Sequence, residues 1–201
     1  MEPHRAFTIW ITGLPKSGKS SVAEALGAIL RARGLETEII DSGRLRDTPL
    51  GASLGFSREE RDLNVRRHAL AAKLLTAHGV IAIVAAVSPY RATRDEVRRE
   101  LGSTFEVHAA TPKGACIDRD RLGLWKRALS GEIREFTGVD APYEEPISPD
   151  LRFDLSTETV EQAAERIARA LEDSGLLPSD LPAQSSRTRL ADRLRMLGYE
   201  S

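Results

Sequence analysis

The residues from Gly13 to Ser20 combine glycines, a lysine and hydroxyl side chains at a spacing that suits phosphate chemistry. They read Gly-Leu-Pro-Lys-Ser-Gly-Lys-Ser and match the pattern GxxxxGKS/T in full. In such a loop, backbone N–H groups surround the β-phosphate of ATP, Lys19 reaches the β- and γ-oxygens, and the Ser20 hydroxyl binds Mg²⁺. A chance glycine-rich turn is the alternative, but the apolar segment before the loop and the helical pattern after it supply the context that the motif requires. The predicted ATP-binding residues here are Gly13, Leu14, Pro15, Lys16, Ser17, Gly18, Lys19, Ser20 and Ser21.

A further hydroxyl side chain, that of Ser88, stands where an apolar segment gives way to a proline. The segment Val80 to Val87 is almost wholly apolar, and Pro89 follows the serine directly. In doubly wound sheets, ligands bind outside the carboxyl ends of the strands, which is where this position predicts Ser88 to lie. A serine that bonds to the backbone in a turn is an equally good interpretation, and both stay open.

Short apolar segments alternate with longer helical patterns and supply the elements that must position these residues. The predicted strands are Phe7 to Thr12, Glu36 to Asp41, Val80 to Val87 and Thr104 to Ala109, with a weaker one at Arg152 to Leu155. The predicted helices are Lys19 to Arg33, Arg58 to His78 and Thr159 to Leu171. Continuously apolar strands are typical of a parallel sheet that is covered on both faces. The pattern predicts an α/β fold of the P-loop NTPase type, doubly wound and mainly parallel, with helices on both faces.

One segment, about 120–149, breaks this alternation. From Leu122 to Pro149 it mixes glycine, proline and charged residues without strand character, which favours a mobile lid over a packed layer. Residues 1–175 are predicted to form one P-loop domain that includes the lid. Residues 176–201, which contain two prolines and a short basic helical pattern from Arg187 to Met196, are predicted to be a C-terminal tail.

Composition restricts the partners and the compartment. The 29 Lys and Arg residues nearly balance the 30 Asp and Glu residues, so no global basic field favours nucleic acid or an acidic membrane. Cys116 is the single cysteine, which suits a reducing compartment, and no signal or membrane helix is apparent near Met1. The four histidines lack metal-ligand spacing, so no zinc site is predicted. We expect a cytoplasmic protein without nucleic-acid or membrane partners.

Several blocks between Phe7 and Leu155 resemble the adenylyl-sulfate kinase family, whose members phosphorylate the ribose 3′-hydroxyl of adenylyl sulfate. The blocks, which match the family in order and spacing, are Leu54-Gly55-Phe56-Ser57, Arg61 with Asn64-Val65-Arg66-Arg67, Ser88-Pro89-Tyr90-Arg91, Gly131 to Gly138, and Asp140 to Glu144. The resemblance implies ATP and Mg²⁺ as cofactors, a small nucleotide as acceptor and a homodimer.

The resemblance also implies roles for single residues. The rings of Phe56 and Phe136 would sandwich the acceptor adenine. Its phosphosulfate would be bound by Arg46, Arg66 and Arg67, and Asn64 would orient a substrate group. Lys19, Asp41 and Ser88 would be catalytic, and Arg119 would contact ATP. The family assigns the serine as a phosphoserine intermediate, although direct in-line transfer would not require one. The alternatives are buried core phenylalanines, solvated arginines and an asparagine that caps a turn.

Two departures from the family pattern lie on opposite sides of the expected reaction centre. The family's Asp-Gly-Asp-Asn appears here as Asp41-Ser42-Gly43-Arg44, which removes the second carboxylate, and the family's lid lysine is Leu122. Slow catalysis, compensation by Asp41 or Arg44, and an altered acceptor are all compatible with these changes. The rival hypotheses are a kinase of the same build that acts on another alcohol, and a nucleotide-binding regulatory subunit without turnover.

Overall fold

Five parallel strands form a single sheet in the computed structural model, which describes residues 6–46, 48 and 55–177 except for the side chain of Arg46. In chain order the strands are β1 (Thr8–Gly13), β2 (Thr37–Asp41), β3 (Ile81–Ala85), β4 (Thr104–Ala109) and β5 (Leu151–Phe153). Their order across the sheet is β2-β3-β1-β4-β5, and every neighbouring pair is parallel. The predicted α/β, doubly wound fold is therefore confirmed.

The helices that the structure describes lie on both faces of the sheet. They are α1 (Lys19–Ala32), α2 (Ser42–Arg46), α3 (Arg58–Ala77), α4 (Arg91–Leu101), α5 (Lys113–Asp118), α6 (Leu124–Leu129) and α7 (Val160–Asp173). Helices α1 and α7 pack together against one face, and α3 and α4 pack together against the other. The chain crosses from one side of β1 to the other between β3 and β4, so the carboxyl end of β1 is the switch point where ligands bind in doubly wound sheets.

Side chains of β1 alternate between the two cores, as the period of a strand requires. Ile9 and Ile11 belong to the larger core, which contains α1 and α7, whereas Trp10 belongs to the smaller core under α3 and α4. All residues of β1 and β3 are buried, which explains why their sequences are apolar without polar alternation.

The helix ends agree with the glycine signals, but one long helix was not among the predicted elements. Gly34 and Gly79, which follow α1 and α3, have φ values of 89° and 81°, a conformation that glycine adopts at little cost. That helix is α4, and the short helices α2, α5 and α6 were not among the predicted elements either. The sequence of α4 is dominated by charged residues, and its buried positions include only one large apolar side chain, Val97. A helix with so few apolar side chains is easily taken for a loop or a charged surface segment.

The lid segment contains α6 and a small apolar core of its own. Cys116, Trp125, Ala128 and Phe136 are buried together, and Leu14 of the phosphate loop packs against them. The Trp125 indole is fully buried and donates a hydrogen bond from Nε1 to the carbonyl oxygen of Pro15 at 3.2 Å. The lid is therefore a packed layer that contacts the loop, and its mobility stays a prediction.

The predicted tail lies almost entirely outside the described residues, which end at Leu177. That leucine is 2% exposed and packs into the larger core with Leu171. In the described parts of the chain, no helix has both the length and the apolar character needed to cross a bilayer.

Candidate active site

The loop between β1 and α1 has the tight geometry that phosphate binding needs. A Cβ atom at Gly13 would lie 2.6 Å from the carbonyl oxygen of Ala109, and one at Gly18 would lie 2.2 Å from Leu155 Cδ1. Gly18 also has a φ of 96°, in the left-handed region. Both positions therefore exclude any side chain, which gives the two motif glycines a steric reason.

Lys19 occupies the interior of this loop. Its ammonium Nζ donates to the carbonyl oxygens of Gly13 at 2.9 Å and Leu14 at 2.7 Å, and to Ser17 Oγ at 3.4 Å. Burial is the main cause that lowers the pKa of Lys19 to about 8. The ammonium is thus held where it can exchange carbonyl partners for phosphate oxygens.

A cavity of about 1290 Å³ opens above the loop. Single small-molecule sites usually enclose about 300–1,000 Å³, so this space is large for one nucleotide. The predicted site residues that line it are Pro15, Lys16, Gly18, Lys19, Ser20, Ser21, Asp41, Phe56, Asn64, Ser88, Arg119 and Phe136. Gly13, Leu14 and Ser17 lie in the loop itself but are not lining residues.

Two aromatic side chains outside the phosphate loop line the cavity. Phe56 is 40% exposed just before α3, whereas Phe136 is buried in the lid, with its ring edge-on to Trp125 at a centroid distance of 5.0 Å. Asn64, which lies eight residues after Phe56, donates from Nδ2 to Ser42 Oγ at 3.1 Å. A flat ligand could enter between the α3 side and the lid.

Two of the three predicted phosphosulfate ligands are not brought to the cavity. Arg66 forms a bidentate ion pair with Glu96 at 2.8 and 2.9 Å on the exposed surface, and this hydrogen bonding raises its pKa. Arg67 is also absent from the lining residues. Successive helical residues are rotated by about 100°, so Arg66, two positions after Asn64 and five after Arg61, projects from the side of α3 opposite to the face that carries them. Of the third ligand, Arg46, only the backbone is described.

Arg61 is the cationic side chain that sequence reasoning left without a role. It lines the cavity and is 8% exposed, and its Nε donates to the carbonyl oxygen of Phe56 at 2.8 Å. Its guanidinium also lies 5.4 Å from the Phe56 ring centroid and donates to the carbonyl oxygen of Glu135 in the lid. Its spacing of three from Asn64 fits a shared helix face, but Arg67 has the same spacing on the other side of Asn64, so the sequence alone did not single out Arg61.

Ser88 lies at the carboxyl end of β3, as its position predicts, and is 3% exposed. Its Oγ accepts a hydrogen bond from Trp10 Nε1 at 3.1 Å and donates a long one to the carbonyl oxygen of Ala86 at 3.4 Å. Neither of these groups is a base that could activate a nucleophile. The geometry fits a serine that is held in place, and its covalent role stays a hypothesis.

Asp41 and Ser20 supply oxygen donors beside the loop. Asp41 Oδ1 accepts from the amides of Gly43 at 2.8 Å and Arg44 at 3.1 Å, which fixes the carboxylate at the start of α2. Asp41 and Ser20 both line the cavity. A hydroxyl and a carboxylate are hard oxygen ligands of the kind that Mg²⁺ prefers, so the residues present fit this ion.

The two departures from the family pattern also lie at the cavity. Gly43 and Leu122 are both lining residues, and Leu122 is 72% exposed. A Cβ atom at Gly43 would come within 3.1 Å of Asp41 Oδ1. Arg119, at the root of the lid, lines the cavity too and donates to the carbonyl oxygen of Leu155.

A doubly wound sheet, a complete phosphate loop at its switch point and a lid that lines the same cavity define a P-loop kinase. A model of the Adenylylsulphate kinase family matches residues 5–154. The chain belongs to this family.

Individual relatives agree with this assignment. An adenylyl-sulfate kinase of Microcystis aeruginosa is 45% identical over 173 residues, which are 86% of this chain and 95% of the relative. The solved structure of the Mycobacterium tuberculosis APS kinase in complex with AMPPNP and APS is 39% identical, with a TM-score of 0.79 over 85% of this chain and 99% of the other. A hexameric APS kinase from Thiobacillus denitrificans is 32% identical, with a TM-score of 0.65 over 87% of this chain and 30% of the other.

Proposed function

We propose that this chain transfers the γ-phosphoryl group of ATP to the 3′-hydroxyl of adenylyl sulfate, which gives 3′-phosphoadenylyl sulfate. One observation carries the proposal: a single cavity is lined both by the phosphate loop and by the aromatic side chains of Phe56 and Phe136. A similar chain has been solved with both an ATP analogue and APS bound. Transfer between two nucleotides requires such a continuous space.

On the donor side, the loop amides would cradle the β-phosphate and Lys19 would hold the β- and γ-oxygens. Ser20 and Asp41 are the residues that would hold Mg²⁺, which when bound neutralises charge on the transferred group. Arg119 would contact the nucleotide at the root of the lid.

On the acceptor side, Phe56 and Phe136 would stack on the adenine of adenylyl sulfate. Arg61 carries a planar guanidinium suited to its phosphosulfate, and Asn64 would orient the nucleotide. Asp41 would receive the proton of the attacking hydroxyl. A loose, metaphosphate-like transition state needs little help from a base, so the absence of a carboxylate at Gly43 is compatible with turnover.

A kinase of the same build that acts on another alcohol is the second candidate. Gly43 and Leu122 favour it, since both lie at the cavity and both replace a charged family residue with an uncharged one. Residues at these two positions would contact the acceptor and could therefore change which acceptor binds.

The test is a coupled ATPase assay with adenylyl sulfate, other nucleotides and other alcohols as acceptors. We expect adenylyl sulfate to give the largest stimulation and Lys19→Ala to abolish it. Phe136→Ala should raise the KM of the acceptor about 10-fold or more, because stacking on a base contributes about 1–3 kcal/mol. Ile147→Ala, a truncation at a side chain that is 77% exposed and outside the cavity lining, should have no effect.

Strong stimulation by another alcohol with none by adenylyl sulfate would transfer the assignment to the second candidate. Tight ATP binding without turnover, even after Gly43→Asp and Leu122→Lys, would instead indicate a regulatory nucleotide-binding subunit.

We further propose a cytoplasmic location, which the free, buried thiol of Cys116 supports. The homodimer also stays a proposal. Three exposed leucines of α3, Leu63, Leu70 and Leu74, support self-association, and the hexameric relative shows that assembly occurs in this family.

A further inference from the structure

A buried arginine behind the cavity connects three separate segments of the fold. Arg94, on α4, is 3% exposed and is not a lining residue of the cavity. Its Nη1 donates to the carbonyl oxygen of Ser88 at 2.7 Å, its Nη2 to that of Glu144 at 2.6 Å, and its Nε to Glu106 Oε1 at 3.2 Å. One guanidinium thus joins the loop after β3, the carboxyl end of the lid and strand β4.

The junction that Arg94 spans has further backbone bonds. The amide of Glu144 donates to the carbonyl oxygen of Pro89 at 2.8 Å, and the amide of Arg91 donates to Glu144 Oε2 at 2.8 Å. Loop and lid end therefore meet along a short interface, and Arg94 closes its buried side.

The loop itself is held in an uncommon shape. Ser88 has a φ of 39°, a left-handed value that costs a non-glycine residue about 1–2 kcal/mol. Thr12 Oγ1 donates to the carbonyl oxygen of Val87 at 2.8 Å, so this carbonyl and that of Ser88 are both bonded to groups of the protein. Within the described parts of the chain, the amides of Val87 and Ser88 make no hydrogen bond. The loop thus lines the cavity while its carbonyl oxygens are bonded to the surrounding protein.

Charge pairing alone does not explain this arginine. Burying an ion pair costs desolvation that often cancels its attraction, so the pair with Glu106 is weak evidence for a stabilising role. Arg98 already contacts the same carboxylate at 3.5 Å from a more exposed position. What Arg94 adds is a planar fork whose two Nη atoms reach carbonyl oxygens of two separate segments while its Nε faces Glu106, a span that the single nitrogen of a lysine does not offer.

We infer that Arg94 is a positioning residue that fixes the Val87–Pro89 loop against the carboxyl end of the lid and thereby sets the orientation of the acceptor. The inference deepens the proposed function and rests on it for the identity of that acceptor. The connection that Arg94 makes between the loop and the lid, called the clamp below, can be measured without any acceptor.

The experiment compares Arg94→Lys, the double variant Arg94→Met with Glu106→Gln, and the control Arg98→Lys. Hydrogen exchange of the ligand-free proteins should show faster exchange at the amides of Arg91 and Glu144 in both Arg94 variants, with β1 and β3 unchanged. In the coupled assay, kcat/KM for adenylyl sulfate should fall about 10- to 100-fold while the KM of ATP stays within about twofold. Arg98→Lys should match the wild-type protein in both measurements.

Several results would overturn the inference. Unchanged exchange at Arg91 and Glu144 rules out the clamp, whatever the activity. Recovery of full activity in the double variant would show that Arg94 only neutralises Glu106. A parallel loss for both nucleotides, in step with a lower folded fraction, would show a purely structural role. If the wild-type protein ignores adenylyl sulfate, the proposed function fails, and the exchange data alone decide the clamp.

Discussion

The ammonium group of Lys19 is buried, and burial disfavours its charged form. Burial lowers its pKa to about 8, while Asp41 favours the charged form and Lys16 disfavours it. The carbonyl oxygens that hold the ammonium only partly replace water. Nucleotide phosphates would supply the missing negative charge and raise this pKa again.

We therefore predict that ATP binding becomes coupled to proton uptake near pH 8. Below this pH the amine is already charged before binding. Above it the amine must take up a proton, so the affinity should fall as the pH rises through 8. Calorimetry between pH 7 and 9.5 in buffers of different ionisation enthalpy measures the proton number. Lys19→Met should abolish the uptake, and an uptake that persists in this variant would contradict the assignment.

The arginines of α3 show what could and could not be predicted at this scale. The motif from Gly13 to Ser20 has a fixed local geometry, so its residues could be placed from sequence alone. Arg61, Arg66 and Arg67 lie in one block, and only the packing of α3 determines which of them faces the cavity. From the sequence alone, Arg66 was an equally good candidate for binding the phosphosulfate. In the structure it pairs instead with Glu96, 30 positions away on another helix.

At the scale of elements, the lid and the phosphate loop share a contact that depends on one indole. Trp125 packs edge-on against Phe136 and bonds to Pro15, and a Cβ atom at Gly138 would lie 2.8 Å from its Cη2. The ring is therefore enclosed on several sides. Its N–H group is the polar link between lid and loop.

We predict that Trp125→Phe weakens ATP binding while the fold persists. The phenyl ring keeps most of the apolar contact, but the hydrogen bond to Pro15 is lost, which costs about 0.5–1.5 kcal/mol, or roughly a 2- to 10-fold rise in KM. Steady-state kinetics measure this change. Trp10→Phe is the matched control, because it removes an indole bond to Ser88 instead and should leave the KM of ATP unchanged. Equal effects of the two variants on that KM would contradict the prediction.

Element prediction succeeded for the strands and for the three longest helices, and it missed α4 and the apolar core of the lid. The buried strands β1 and β3 can be recognised in the sequence as apolar segments, because both faces of the sheet are covered. Helix α4 and the lid core cannot, because each buries few apolar side chains and depends on polar contacts such as that of Trp125 N with Asp120 Oδ2 at 2.6 Å. Those contacts connect residues whose pairing the sequence does not specify.

At the scale of the whole molecule, a buried histidine links stability to pH. His108, in β4, is 2% exposed, and its ring is stacked on that of Tyr143 at 6.0 Å. Burial is the main cause that lowers the pKa of His108 to about 4. An unfolded chain would protonate it near pH 6.5, so between about pH 6.5 and 4 the unfolded state binds more protons. The native state is therefore favoured at the upper end of this window and loses that advantage as the pH falls.

We predict that His108 makes a measurable contribution to acid denaturation, on the order of 3 kcal/mol across that window. His108→Asn should flatten the decline of the free energy of unfolding between pH 6.5 and 4, whatever its effect at pH 7. Urea unfolding at a series of pH values gives the slope. The exposed His78, replaced by Gln, is the control and should leave it unchanged; a wild-type slope in His108→Asn would refute the prediction.

The undivided space above the loop has a consequence for ligand design. Among the described residues, one cavity is lined both by the phosphate loop and by Phe56 and Phe136, so under the proposed function a compound that joins two adenosines through a polyphosphate tether could occupy the donor and acceptor positions at once. Its second half would bind at a high effective concentration, limited by tether length. The number of phosphates in the tether that gives the strongest inhibition would then indicate the distance between the two bound nucleotides.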